Sequence, residues 1–327
     1  MRGDEIMAEF NYTDTLIIIG MIAVYIVFTS WLTVRLRSKN TEQFMVASRA
    51  MPAIVVGVLL MSEFIGAKST VGTAESAFKY GMAAAWSVLG ASIGYWLYGL
   101  FMVKRLYGSS EYTISGAIAQ KYGNSTKYAV SLIMIYALLL VNVGNYISGA
   151  AALSTVLKMS LPVSMCIIAV VSTFYFVFGG LKGVAYVTIL HSFFKFMGIA
   201  IVLVVALSLT SGVSPMLEKL PDYYFTWDGK IGGSTIFAWV IGTVGAIFST
   251  QFVVQAISSN KSAADAKKST MYAAVLCFPL GFALALIGVA AKYLYPEMEA
   301  LYALPIFIQS MNPYLAGIVA TSLVASV

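Results

Sequence analysis

The residues from Thr15 to Val34, TLIIIGMIAVYIVFTSWLTV, contain no charged side chain. A helix of about 20 apolar residues matches the hydrocarbon core of a bilayer. Comparable runs recur at 51–78, 82–103, 129–157, 163–178, 184–210, 234–257, 270–295 and 314–327. Inside lipid each segment must satisfy its own backbone polar groups, so a lone strand is excluded and the segments read as helices. The expectation is an all-α, polytopic membrane protein with about nine transmembrane helices, the last of them short. The chain is 60% hydrophobic and only 10% charged, which separates it from soluble domains, where about a quarter of residues are charged.

The acidic residues Asp4, Glu5, Glu9 and Asp14 precede the first run, which argues against a cleaved signal and for a span that stays. The run after Tyr314 ends at Val327 with fewer residues than a span needs, so the sequence reads as cut short there. Cys166 and Cys277 both lie in apolar runs and read as packing residues. His191 is the single histidine, and no His, Cys, Asp and Glu spacing suggests a metal centre or a bound cofactor. Nor is there a nucleophile beside a base or a phosphate loop, so an enzyme is disfavoured.

The net charge of +6 is sorted by loop, which explains it without nucleic acid. Twelve Lys and Arg residues fall in the connections around 35–49, 104–128, 179–183 and 259–269, against six in the other connections. The richer side is expected to be cytoplasmic, which puts the N-terminus outside the cell membrane. Lys68 and Lys195 belong to neither side, because both lie within spans.

Polar residues inside spans carry the functional signal. The stretch MSEFIGAKSTVGTAE (61–75) places Glu63, Lys68 and Glu75 with Gly66 and Gly72 in an otherwise apolar run. A charge at the bilayer centre costs about 2.5–3.5 kcal/mol on insertion scales. A helix break near Gly66 would expose backbone groups as ligands for an ion or solute. A kinked helix whose charges pair with neighbours explains the residues equally well. Segment 234–257 has Gly242 and Gly245 ahead of Ser249, Thr250, Gln251 and Gln255. Two interrupted spans five apart fit an inverted repeat of five helices after one extra helix. The expected plan is one transporter domain over 1–327. It consists of an extra helix at 15–34, a first repeat at 51–210 and an incomplete second repeat at 234–327.

Thr188, His191 and Lys195 fall at i, i+3 and i+7 and share one helix face. Lys195 either pairs with Glu63 or backbone carbonyls, or fixes a cation beside an ion site; for His191 plain packing is preferred. Asn142 and Asn145 sit one turn apart in a span, where asparagine commonly cross-links helices or faces a cavity.

Several stretches resemble the sodium:solute symporter family, whose members have the LeuT-type fold. They are SEFIGAKSTVGTAESAFKYG, EYTISGAIAQKYG, FGGLKGVAYVTILH, TQFVVQAISSNKSAADAKKS and LVASV, and they cover the chain in order. The resemblance implies a LeuT-like inverted-repeat bundle and sodium-coupled symport of a small polar or anionic organic solute. It implies a sodium site with backbone carbonyls of Val56, Leu59 and Ser326, and solute contacts at Glu63, Asn142, Asn145, Thr250 and Gln251. Thr188 and His191 depart from the family pattern, and Lys195 is unusual. A proton-coupled or cation-independent transporter, with Lys195 in place of sodium, is therefore an alternative, as is a transporter-like membrane sensor.

Overall fold

The computed structural model describes residues 12–108, 113–157 and 159–325. Its helices are α1 (Tyr12–Arg35), α2 (Thr41–Val46), α3 (Ala53–Phe64), α4 (Ala67–Tyr80), α5 (Trp86–Phe101), α6 (Val103–Gly108) and α7 (Ile114–Tyr122). They continue with α8 (Asn124–Leu157), α9 (Leu161–Leu209), α10 (Ser214–Lys219), α11 (Gly233–Ser249), α12 (Gln251–Ser258), α13 (Ala263–Leu294) and α14 (Pro313–Val324). Among the described residues the sole β-type pairing is an isolated bridge between Met51 and Asn260.

By length and composition, Tyr12–Arg35, Asn124–Ala151, Leu181–Leu209 and Ala263–Leu294 can each cross a membrane, and the total is six if two bent pairs count as spans. Both bent pairs coincide with the spans expected to be interrupted. The first breaks between α3 and α4, where Ile65 (φ −85, ψ 62) and Gly66 (ψ −174) leave helical geometry. The second bends by 54° between α11 and α12 at Thr250 (φ −69, ψ 124). Of the glycines and polar residues expected to interrupt that span, Thr250 sits at the bend, while Gly242 and Gly245 lie inside α11.

Segments 163–178 and 184–210, expected as separate spans, both lie within the bounds of α9.

The helices pack in two groups. α13 lies against α3, α4 and α5, and α11 against α5. α9 packs on α1, α8 and α14, and α1 on α14. A turn at Gly81, with φ +79, reverses the chain between α4 and α5 and brings Thr73 Oγ1 to 3.0 Å from Ser87 Oγ.

The basic connections gather at one end of the bundle. Met51 N donates to the Ser259 carbonyl at 2.9 Å, Tyr107 Oη donates to the Asn260 carbonyl at 3.1 Å, and Gly183 packs against the Thr33 and Leu36 carbonyls. The lysine-poor connections gather at the other end. There Trp86 Nε1 donates to the Trp227 carbonyl at 3.0 Å, Tyr224 Oη donates to the Phe78 carbonyl at 3.0 Å, and Lys292 lies 4.8 Å from the centre of the Phe78 ring.

Candidate solute-binding site

A helix broken in the membrane leaves carbonyls and N–H groups that lipid cannot satisfy, each worth about 1–3 kcal/mol if buried and unpaired. Polar side chains gather around the break. Ser69 Oγ donates to the Phe64 carbonyl at 2.6 Å. Thr70 Oγ1 donates to the Gly66 and Ala67 carbonyls at 3.2 and 3.0 Å. Tyr95 Oη, from α5, donates to the Leu60 carbonyl at 2.6 Å.

The Ile65 carbonyl is reached from the other helix group. Lys195 of α9 is 1% exposed, and its Nζ donates to the Ile65 carbonyl and to Ser62 Oγ at 3.0 Å. The Ser62 carbonyl is 3.5 Å away. Of the two partners expected for Lys195, Glu63 or backbone carbonyls, the structure supplies the carbonyl, and it adds the Ser62 hydroxyl. The lysine ammonium sits at the C-terminal, electronegative end of the half-helix α3, where a cation is favoured.

Beside this break is a cavity of about 490 Å³, within the range of small-molecule sites. It collects Leu59, Glu63, Asn142, Asn145, Thr188, His191 and Lys195 from α3, α8 and α9, with Val324 and Ala325 from the end of α14. Thr188, His191 and Lys195 do share one face, and that face lines the cavity. His191 also makes a hydrogen bond to the Ala325 backbone, which ties α9 to the end of α14. The Glu63 side chain is exposed within the cavity and makes no ion pair or hydrogen bond among the described residues. No ion pair links it to Lys68, whose methylenes pack over Gly144 of α8 while its backbone N–H donates to Asn145 Oδ1 at 3.2 Å.

Other expected residues stand apart. Thr250 and Gln251 flank the second break but do not line the cavity; Thr250 Oγ1 turns back to the Ala246 carbonyl at 2.7 Å. Their neighbour Phe252 is the residue of that segment that reaches the cavity. Val56 is fully buried inside α3 and away from the cavity, whereas Leu59 borders it. Ser326 lies outside the described residues. Ser62 and Tyr95 were not singled out from sequence. Ser62 had a signal, a hydroxyl beside Glu63 in an apolar run; Tyr95, one tyrosine among many, had none.

A model of the Sodium:solute symporter family matches residues 44–327. The chain belongs to the sodium:solute symporter family. It is 24% identical over 288 residues to a sodium/glucose cotransporter of Vibrio parahaemolyticus, covering 81% of this chain and 52% of that protein. It is 24% identical over 312 residues to the high-affinity proline transporter PutP of Bacillus subtilis (strain 168), covering 89% and 65%. With the high affinity choline transporter 1 of Homo sapiens it shares 26% identity over 290 residues, covering 82% and 49%. The chain thus spans about half to two thirds of the length of these relatives, all of which are transporters. A solved structure of a Na+-coupled sialic acid symporter in a substrate-bound, outward-open state superposes with a TM-score of 0.80 at 16% identity. The match covers 97% of this chain and 70% of that one, so the two share the LeuT-type helical fold.

Proposed function

We propose that the chain forms the translocating part of a secondary active transporter that couples a small polar organic solute to sodium by alternating access. The observation that carries this reading is the α3–α4 break, which borders a cavity walled by both helix groups. A site shared between two packed groups changes its access when one group rocks against the other. Glu63, Asn142 and Asn145 would contact the solute. Carbonyls of Val56, Leu59 and Ser326 would hold sodium; Leu59 and the end of α14 already share the cavity wall. Thr250 and Gln251 stay outside the solute set. The ion gradient drives transport, a cation crossing 100 mV gaining about 2.3 kcal/mol. The reading includes the cell membrane, with the basic end cytoplasmic and the N-terminus outside.

The placement of Lys195 favours one second reading. Its ammonium caps the break of the first core helix, so a lysine proton or no ion could serve in place of sodium. Uptake of small polar solutes into proteoliposomes separates the two. Sodium symport predicts accumulation under an inward sodium gradient and its loss when an ionophore collapses that gradient. Accumulation indifferent to sodium in the wild type, and lost in Lys195→Met, would replace it with the lysine reading.

A further inference from the structure

The cavity holds three ionisable side chains among its lining residues: Glu63, His191 and Lys195. Their charges are not equally available. Lys195 is 1% exposed, and its N–H groups are directed at Ile65 and Ser62 rather than into the hollow. His191 is turned to the backbone of Ala325. Glu63 alone presents an ionisable group that is both exposed and unpartnered. Around it the wall is mainly hydrocarbon, including Ile22, Ile26, Val141, Ile168 and Val187, with amides at Asn142 and Asn145. Phe252 is the one aromatic carbon ring among the lining residues.

We infer that Glu63 selects an organic cation: a solute with an N–H-bearing ammonium on a short apolar body. The inference rests on the solute-site reading above and deepens it. An anion would meet Glu63 with like charge. A zwitterion would need an available cationic partner, and Lys195 is already committed to the helix break. A neutral alcohol would leave a carboxylate in an apolar hollow without a counter-charge, which is costly. A quaternary ammonium is normally held by several aromatic faces, and one phenylalanine is a poor cage. An ammonium with N–H groups uses what is present, the Glu63 oxygens and the amide oxygen of Asn142, in charge-assisted hydrogen bonds. Sodium bound directly at Glu63 is less suited, because hard cations need several converging oxygens and this wall supplies few.

Equilibrium binding to the full chain in lipid nanodiscs, at fixed sodium, tests this with four probes of similar size: n-butylammonium, tetramethylammonium, 1-butanol and butyrate. The expected order places n-butylammonium first by about tenfold or more, as a charge-assisted hydrogen bond implies. Glu63→Gln should remove that advantage, with a wild-type helical circular dichroism spectrum and a monodisperse elution profile certifying the fold of the variant; Glu63→Asp should restore part of it. Butyrate or 1-butanol binding as tightly as the amine, no probe binding, or an amine preference that survives Glu63→Gln each overturns the inference. Tetramethylammonium matching the primary amine overturns the N–H requirement. Amine binding that needs Glu63 but ignores sodium contradicts sodium symport alone and leaves the cation site standing.

Discussion

At the scale of single residues, the polar side chains of 61–75 are the repair of a broken backbone. Ser69 and Lys195 supply donors to the Phe64 and Ile65 carbonyls, which the broken helix no longer serves. Lys195→Met keeps the stem volume and removes the donor, leaving the Ile65 carbonyl and Ser62 hydroxyl without it. The expected loss is about 1–3 kcal/mol, the cost of a buried unpaired polar group, read as a lower melting temperature in detergent. An unchanged melting temperature would mean that the amine contributes nothing to the break. Much of this was legible in advance: a lysine and a glutamate in an apolar run had to face protein or a cavity. The partner of Lys195 was not. Choosing between Glu63 and a carbonyl requires the angle at which α9 crosses α3, which no local pattern encodes.

At the scale of elements, glycine marks close approach in some helices and nothing in others. A Cβ at Gly288 of α13 would collide with the Ala74 carbonyl of α4, while Gly242 and Gly245 of α11 have open space beside them. Gly288→Val should destabilise by about 1–3 kcal/mol, as overpacking does. Gly245→Ala should be neutral or raise stability by about 0.5–1 kcal/mol through helix propensity. Thermal unfolding of the two variants checks both signs. The same contrast bears on the second interruption: the sequence offered Gly242 and Gly245 together with the polar run Ser249, Thr250 and Gln251, and the bend falls at Thr250, where the chain enters the short helix α12. Glycine permits a bend; packing against neighbours decides where it occurs.

At the scale of the whole molecule, charge and packing point to the same sidedness. Met51, Tyr107 and Asn260 tie one end together, and Phe78, Trp227 and Lys292 the other. A cysteine replacing Lys230 should react with an impermeant thiol reagent on intact cells, and one replacing Lys267 only after permeabilisation; the reverse pattern would invert the assigned topology. The central claim is that the α3–α4 break borders a hollow in mid-membrane that opens to water. Its most direct test is thiol accessibility at Asn142, with Cys166 and Cys277 first changed to serine. Asn142 faces the cavity, whereas Leu140, two residues away and so on the other side of the same helix, is 50% exposed and does not line it. Asn142→Cys should react with a membrane-impermeant methanethiosulfonate, and Leu140→Cys should not. Equal reaction at both positions, or none at Asn142, would contradict the account.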